Sequence, residues 1–260
     1  ELTETLRLEA YVGLWNCLAI DDINHDGRLD IVAGNWGLNR SLESSAGHPH
    51  WTFYLGDWDN NGVTELIETR MDEDGNPRPT AHLNELSKDL PFVQNRFRSN
   101  RHYAKQSLDA VLDDYRERFD SVSLTWLATT TFLNNGSYFE AKPLPPIGQI
   151  SPAQDLVIDD FNGDGNADLA MAQNLFPVKR HQPRQDAGFG QIFLGEKNGS
   201  WAPIPLTESG FIHYGQATQM ESVDLNGDSM KDLLLLEADG AMTVYFRQDP
   251  GALPQRQPLR

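Results

Sequence analysis

A short acidic pattern occurs four times in the chain, each time directly before an apolar run. Every copy has Asp first, Asp or Asn at positions three and five, and an acid at position nine. Position six is Gly in three copies and Ser229 in the last. A short apolar run also precedes each copy, so the unit is strand, loop, strand. The copies read DINHDGRLDIVAG from Asp22, DWDNNGVTELIE from Asp57, DFNGDGNADLAMA from Asp160 and DLNGDSMKDLLLL from Asp224.

Further strand-like runs lie between the copies and are rich in Thr, Val, Ile and aromatic residues. They are WTFYL from Trp51, LTWLATTTFL from Leu124, GQIFLG from Gly190 and AMTVYF from Ala241. Units of about 40–50 residues with several short strands each are typical of propeller blades. The sequence therefore predicts a mainly β protein, a β-propeller or propeller fragment. Residues 1–260 would form one such domain or part of a larger one.

The long gap between the second and third copies has a different periodicity. From 81 to 119 apolar residues recur at three- and four-residue steps, which favours helices. Pro91 should interrupt the first helical stretch, so we expect at least two helices. We interpret residues 81–119 as a helical insertion between strands of one blade. The periodic positions are Leu83, Leu86, Leu90, Val93 and Phe97, followed by Leu108, Val111, Leu112 and Tyr115.

The spacing of the acidic residues predicts calcium sites. Calcium takes six to eight oxygen ligands, and loops that bind it supply acids at alternate positions, a tight turn at position six and a backbone carbonyl at position seven. No His or Cys occupies a ligand position, which argues against transition metals. The predicted ligands, with the seventh residue acting through its carbonyl, are Asp22, Asn24, Asp26, Arg28 and Asp30; Asp57, Asp59, Asn61, Val63 and Glu65; Asp160, Asn162, Asp164, Asn166 and Asp168; and Asp224, Asn226, Asp228, Met230 and Asp232.

These loops are not EF-hands, because position twelve is Ala33, Met171 and Leu235 in three copies, where an EF-hand needs Glu. Ordinary Asx turns are the alternative explanation for any one copy. Four copies in the same strand context favour about four calcium sites. The second and fourth should be weakest, because one has Asn61 at position five and the other has Ser229 where Gly turns more readily.

The formal charge of −17 argues against nucleic acid and anionic membrane as partners. No apolar run approaches the ~20 residues of a membrane span. Cys17 is the only cysteine, so the chain can form neither an internal disulfide nor a thiolate zinc cluster.

The four loops resemble the FG-GAP/VCBS repeat, the calcium-loop blade of integrin α-chain propellers and of many bacterial surface proteins. Longer stretches, among them GLWNCLAIDDINHDGRLDIVAGNWGLN, FLNNGSYFEAKPLP and LFPVKRHQPRQDAGFGQIFLG, are similar to bacterial FG-GAP proteins that are often joined to an ASPIC/UnbV domain. The resemblance implies a secreted, periplasmic or outer-membrane surface protein of a Gram-negative bacterium. The ASPIC/UnbV domain itself is not recognisable in this chain.

A basic cluster stands out in this acidic chain and is the candidate ligand site. Lys179, Arg180, His181 and Arg184, with Trp36 as a stacking platform, could hold an acidic sugar or a partner carboxylate. Trp36 and Trp58 are the tryptophans we expect to be exposed.

Three functions remain open. The favoured one is a non-enzymatic module that binds or scaffolds protein or glycan. The others are a calcium-dependent polysaccharide lyase or hydrolase using His181, and a structural segment of a larger protein. No catalytic residue is assigned, because the sequence contains no nucleophile elbow, phosphate loop or zinc motif.

Overall fold

The computed structural model describes residues 6–39, 51–113, 119–178 and 184–247, and the backbone of 255–257. The chain divides into two compact units, which are treated separately below. Unit 1 is Glu1–Ser41 with Leu127–Arg260, and unit 2 is Leu42–Trp126. The prediction of a single propeller domain over 1–260 stays a prediction.

The described part of the chain is mainly β, as the sequence predicts. Its strands are β1 (Cys17–Asp21), β2 (Asp30–Gly34), β3 (Trp51–Gly56), β4 (Glu65–Met71), β5 (Pro77–Pro79), β6 (Asp120–Ser123), β7 (Thr130–Asn134), β8 (Phe139–Pro143), β9 (Ala153–Asp159), β10 (Asp168–Gln173), β11 (Gln191–Gly195), β12 (Trp201–Pro203), β13 (Ala217–Val223), β14 (Asp232–Glu237), β15 (Met242–Phe246) and β16 (Gln255–Gln257). Its helices are α1 (Leu83–Asp89), α2 (Pro91–Arg96), α3 (Asn100–Tyr103), α4 (Leu108–Leu112) and α5 (Leu206–Ser209), with a 3-10 turn at Pro146–Gln149.

Unit 1 contains three four-stranded antiparallel sheets. Sheet 1 has the order β1-β2-β7-β8, sheet 2 the order β9-β10-β11-β12, and sheet 3 the order β13-β14-β15-β16. In sheet 1, β2 pairs with β7 in the register Ile31↔Phe132 and Ala33↔Thr130. Unit 2 therefore lies in the chain between two hydrogen-bonded strands of one sheet. The second acidic loop therefore belongs to unit 2, whereas the other three loops belong to unit 1.

The three sheets of unit 1 pack through their first strands, with β9 between β1 and β13. Alternate residues of β10 point to opposite faces, and all six of its residues are buried. Leu169 and Met171 join Val32 in a core with sheet 1, whereas Ala170 and Ala172 join the core with sheet 3. Sheet 2 is thus covered on both faces, which accounts for its continuous apolar run DLAMA.

The strand expected from Leu124 is shorter than its apolar run suggests, since only Thr130–Asn134 pairs as β7. Thr129, just before it, donates its backbone N–H to the Gln149 side chain at 2.9 Å. The Gln149 amide returns a 2.9 Å bond to the Thr129 carbonyl. A buried side chain therefore takes the place of a strand partner at this position.

Unit 2 contains a fourth antiparallel sheet, of order β5-β4-β3-β6, and helices α1–α4. The helices connect β5 to β6, two strands of that sheet. Pro91 is the first residue of α2, where its missing N–H costs no helical hydrogen bond. The core combines Ile67 of β4 and Trp58, from the loop before β4, with apolar residues of the helical segment that include Leu83, Leu90 and Val111. Among the described helices, none is long and apolar enough to cross a membrane.

Candidate metal loops

Each acidic motif forms the loop between two antiparallel strands. Loop 1 is residues 22–30 between β1 and β2, and loop 2 is residues 57–65 between β3 and β4. Loop 3 is residues 160–168 between β9 and β10, and loop 4 is residues 224–232 between β13 and β14. The position numbers one to nine used below count from the first Asp of each loop.

The first Asp closes the loop around its own carboxylate. Asp22 Oδ1 accepts the N–H of Asp26 at 2.9 Å, and Asp22 Oδ2 accepts the N–H of Gly27 at 2.9 Å. The first residues of the other three loops accept the same two bonds from positions five and six. In every loop, position three accepts the N–H of position five, and position five accepts the N–H of position seven. The side-chain oxygens at positions one, three and five therefore curl into the loop.

Position six requires a left-handed backbone. Gly27, Gly62 and Gly165 have φ of +84°, +85° and +84°, and Ser229 takes the same place with φ +67°. A Cβ on any of these three glycines would meet no atom within 4 Å, so the preference for Gly here is conformational. Position four is left-handed as well in all four loops, a feature that the sequence analysis missed.

The ninth acid fastens the loop to its sheet. Asp30 Oδ2 accepts the N–H of Ile23 at 3.1 Å, and its Oδ1 accepts the N–H of Asn134, the last residue of β7, at 2.7 Å. Asp168 and Asp232 make the equivalent pairs of bonds, the second partner being Gly195 or Arg247. The spacing of the acids predicts only a metal-ligand role for this position. The structure adds a role in holding the sheet, and the signal for it is the apolar residue at position two.

Burial destabilises the ionised form of the ninth acid, as the pKa values of Asp30 and Asp168 show. Asp30, Asp168 and Asp232 have no exposed surface. Burial raises the pKa of Asp30 above its ordinary value and raises the pKa of Asp168 to about 6, against the lowering effect of the backbone N–H bonds. A nearby cation would oppose this effect by favouring the ionised form.

Loop 2 brings its acids closest together. Ligand oxygens of Asp57, Asp59 and Glu65 all lie within 4.8 Å of one another. No other group of three acidic, imidazole or thiol side chains in the described residues is this compact. Loops 1, 3 and 4 carry Asn at position three and contribute an amide oxygen there instead.

Two arginines lie against loops in unit 1. The Arg28 guanidinium pairs with Asp26 in loop 1 and donates from Nε to the Asn134 carbonyl at 2.7 Å. Arg247 is buried and donates to the carbonyl of Asp160 in loop 3 at 3.4 Å. The sequence predicts a role for Arg28 only through its carbonyl, and the structure adds a guanidinium that competes with a cation for Asp26.

The prediction that Trp58 is exposed is wrong. Its side chain has no exposed surface and belongs to the core of unit 2. The N–H of position two bonds to the ninth acid in all four loops, here to Glu65 Oε2 at 3.2 Å. This bond alone does not bury the side chain, since Leu225 of loop 4 is 45% exposed. Trp58 is buried because the apolar residues of the helices pack against it. Trp36, the other tryptophan expected to be exposed, is half-buried.

Of the candidate ligand site formed by the basic cluster and Trp36, the structure describes only Arg184 and Trp36. Lys179, Arg180 and His181 lie outside the described residues. Arg184 is exposed, with its guanidinium carbon 5.9 Å from the centre of the Phe176 ring and Nη1 4.0 Å from Asp186. Leu175 and Gln185 form a β-bridge, and Phe176 donates its N–H to the Gln216 side chain, so the base of this loop is fixed. The cluster stays a prediction as a ligand site.

One protein-family model matches a part of the chain that includes two of the loops. Residues 160–235 match the FG-GAP-like repeat. The matched segment starts at the first residue of loop 3 and ends inside β14. It therefore contains loops 3 and 4 and most of the core between sheets 2 and 3. No curated protein matches the chain.

The loop hydrogen bonds seen within the matched residues also occur outside them. Loop 1 in sheet 1 and loop 2 in unit 2 repeat the bonds at positions one, three and five that loops 3 and 4 make. This geometric repetition is independent of the family match. The link to ASPIC/UnbV domains stays a prediction.

Proposed function

We propose that this protein is a calcium-binding module of propeller-type FG-GAP blades that binds a protein or glycan outside the cytoplasm. Each four-stranded sheet would be one blade, and calcium would fill the loops between strands. The match over residues 160–235 supports the blade assignment. The extracytoplasmic location rests on the resemblance to bacterial surface proteins.

The observation that carries the proposal is the inward curl of positions one, three and five in all four loops. Loop shape of this kind gathers oxygen ligands at one point, which is what a hard cation requires. The donor set is made only of carboxylate, amide and carbonyl oxygens, so it suits calcium better than zinc or copper. The compact acid group of loop 2 fits the same ion.

Within each loop, positions one, three and five would hold calcium through side-chain oxygens and position seven through its carbonyl. The ninth acid keeps lone pairs beyond those used by the backbone N–H groups, so it can serve both the sheet and the ion. When bound, calcium would supply the positive charge that the clustered carboxylates lack. With −17 on the chain, that neutralisation is a large part of the expected stabilisation.

A thermal melt of the metal-stripped protein tests the proposal, with calcium or magnesium added at the same ionic strength. Ligand that binds only the folded state stabilises it by about 2.7 kcal/mol at 100 times its dissociation constant. We expect a calcium-specific rise in Tm and about four ions bound by titration calorimetry. No bound calcium would mean that the loops are ordinary turns, and equal effects of both ions would mean that the loops do not select calcium.

The partner is tested separately, because calcium could serve structure alone. A panel of anionic and neutral polysaccharides is presented to the calcium-loaded protein, with Arg184→Gln and Lys179→Gln as the variants. Binding of anionic polysaccharide that the variants weaken would support the basic cluster as the site. Binding that both variants leave unchanged would move the site elsewhere.

A further inference from the structure

Loop 2 shares one residue with the helical core of unit 2. Trp58 is position two of loop 2 and lies in sequence between the acids Asp57 and Asp59. Its side chain is fully buried and packs in one cluster with Ile67 of β4 and the apolar residues of α1–α4. The indole N–H has no hydrogen-bond partner among the described residues, so the contribution of Trp58 to this core comes from its apolar contacts.

The helices depend on those contacts for their order. They are 7, 6, 4 and 5 residues long. Isolated helices shorter than about 12 residues are marginal in water, so tertiary packing must supply their stability. In the described core cluster, β3, loop 2 and β4 together contribute two fully buried side chains, Trp58 and Ile67, with Tyr54 packed against the cluster. Loss of Trp58 from this core would remove a large share of what the helices pack on.

The backbone that carries Trp58 is held by the acid group. Its N–H donates to Glu65 at 3.2 Å, and Glu65 belongs to the cluster with Asp57 and Asp59. Three carboxylates within 4.8 Å repel one another when no cation is present. A cation that removes this repulsion therefore stabilises the backbone position from which Trp58 reaches the core.

The other loops lack this connection to helices. Ile23 and Phe161, the position-two residues of loops 1 and 3, are buried in the cores of the unit 1 sheets. Leu225 of loop 4 is 45% exposed. In the described residues, only loop 2 places its second residue in a helical core.

We propose that calcium at loop 2 controls the stability of the helical segment 83–112 through Trp58. This inference rests on the calcium binding proposed above and goes beyond it, since it assigns one loop a regulatory role over one segment. Opening of the helices exposes Trp58 and releases the loop, so calcium must leave before or as the segment opens. By thermodynamic reciprocity, weakening the helical core must weaken calcium binding at loop 2 by the same factor.

Hydrogen exchange of the full chain tests the coupling. Amide exchange in 83–112 is measured in EDTA and in calcium for the wild type and Asp59→Asn. Asn is the natural residue at position three of the other loops and keeps the acceptor for the position-five N–H, so the fold should survive. At calcium 100 times its dissociation constant, full coupling slows exchange about 100-fold in the wild type. The variant should lose most of that slowing at the same calcium concentration.

The matched control is Asp164→Asn in loop 3. It leaves loop 3 with the same two acids and two amides at positions one, three, five and nine that Asp59→Asn leaves in loop 2. It should weaken calcium binding in unit 1 but leave the calcium-dependent slowing in 83–112 intact. A second variant, Asn61→Asp, adds the carboxylate that the other loops have at position five. In Asn61→Asp, the slowing of amide exchange in 83–112 should therefore occur at a lower calcium concentration than in the wild type.

The outcomes separate the two proposals. The coupling is supported if calcium slows amide exchange in 83–112 in the wild type and in Asp164→Asn, but not in Asp59→Asn. Calcium binding with a raised Tm, but with exchange in 83–112 unchanged or slowed equally in Asp59→Asn, overturns the coupling and leaves the proposed function standing. Absence of calcium binding at every loop overturns the proposed function and the coupling with it.

Discussion

Asp155 in β9 accepts a hydrogen bond from the backbone N–H of Met220 in β13 at 2.6 Å. This bond joins sheet 2 to sheet 3. The other carboxylate oxygen of Asp155 accepts the N–H of Leu156 at 2.9 Å. Four residues further along β9, Asp159 accepts from the Ser222 hydroxyl at 2.6 Å. Sheets 2 and 3 are therefore joined by specific polar bonds between their first strands as well as by apolar contact.

Asp155→Ala should destabilise unit 1. It leaves the Met220 N–H without its acceptor in a half-buried position, and an unmade bond of this kind costs about 1–3 kcal/mol. Urea unfolding of the wild type and the variant measures the difference. Asp186→Ala, which removes an exposed carboxylate, is the control and should change the free energy of unfolding by less than about 0.5 kcal/mol.

The cost of Asp155→Ala should depend on pH. Burial raises the pKa of Asp155 above its ordinary value of 3.8, although the two backbone bonds lower it. The folded protein then holds this proton more tightly than the unfolded chain, so the contribution of Asp155 is complete below pH 3.8 and declines as pH rises through the raised pKa. The variant should therefore be most damaging near pH 4 and less so at pH 8. The opposite trend would show that the backbone bonds outweigh burial.

Ser229→Gly should stabilise the metal-free protein by about 1 kcal/mol, because Ser229 holds a left-handed backbone that glycine adopts freely. The reverse exchange, Gly165→Ser, should cost a similar amount, since the added side chain would meet no atom and pays only the conformational penalty. Thermal or urea unfolding in EDTA measures both. A stabilisation in Gly165→Ser would contradict the argument.

Local pattern predicted the strands and loops better than the contacts between distant segments. The apolar runs after the Asp loops became β2, β10 and β14, because alternation and β-branched residues act within a few residues. The pairing of β2 with β7 spans about 100 residues of chain, and no local pattern marks it. The shortened β7 likewise depends on Gln149, which lies 20 residues from Thr129.

The candidate site was predictable in its residue types and less so in its geometry. The side chains at positions one, three and five turn into each loop, as their alternate spacing predicts. Trp58 was misjudged because its burial depends on the helices that pack against it, which lie further along the chain and are not marked by any pattern within loop 2. Arg28 shows the same limit, since its pairing with Asp26 depends on the side chain reaching back across two residues.

The Cys17 thiol should react slowly in the folded protein. Burial, with the nearby Asp155 charge, raises its pKa to about 12, so the reactive thiolate is scarce at pH 8. Alkylation by iodoacetamide should be at least about tenfold slower than in urea-unfolded protein at the same pH. Equal rates in the two states would show that β1 opens readily from sheet 1.

Arg28→Gln should raise the calcium affinity of loop 1. The guanidinium pairs with Asp26, a proposed ligand, so calcium must displace it. Pairs this exposed are worth about 0.2–1 kcal/mol, which corresponds to a gain of up to about fivefold in affinity at low salt. The amide resonance of Gly27, whose N–H bonds to Asp22 at 2.9 Å, reports loop 1 alone in a calcium titration by NMR.

Arg184→Gln is the matched control for Arg28→Gln, because it removes the same charge from an exposed arginine paired outside the loops. It should leave the Gly27 titration unchanged, and the gain from Arg28→Gln should shrink at high salt as the displaced charge is screened. Equal gains from both variants would assign the effect to net charge. A loss of affinity in Arg28→Gln would mean instead that Arg28, through its 2.7 Å bond to Asn134, holds loop 1 in its binding shape.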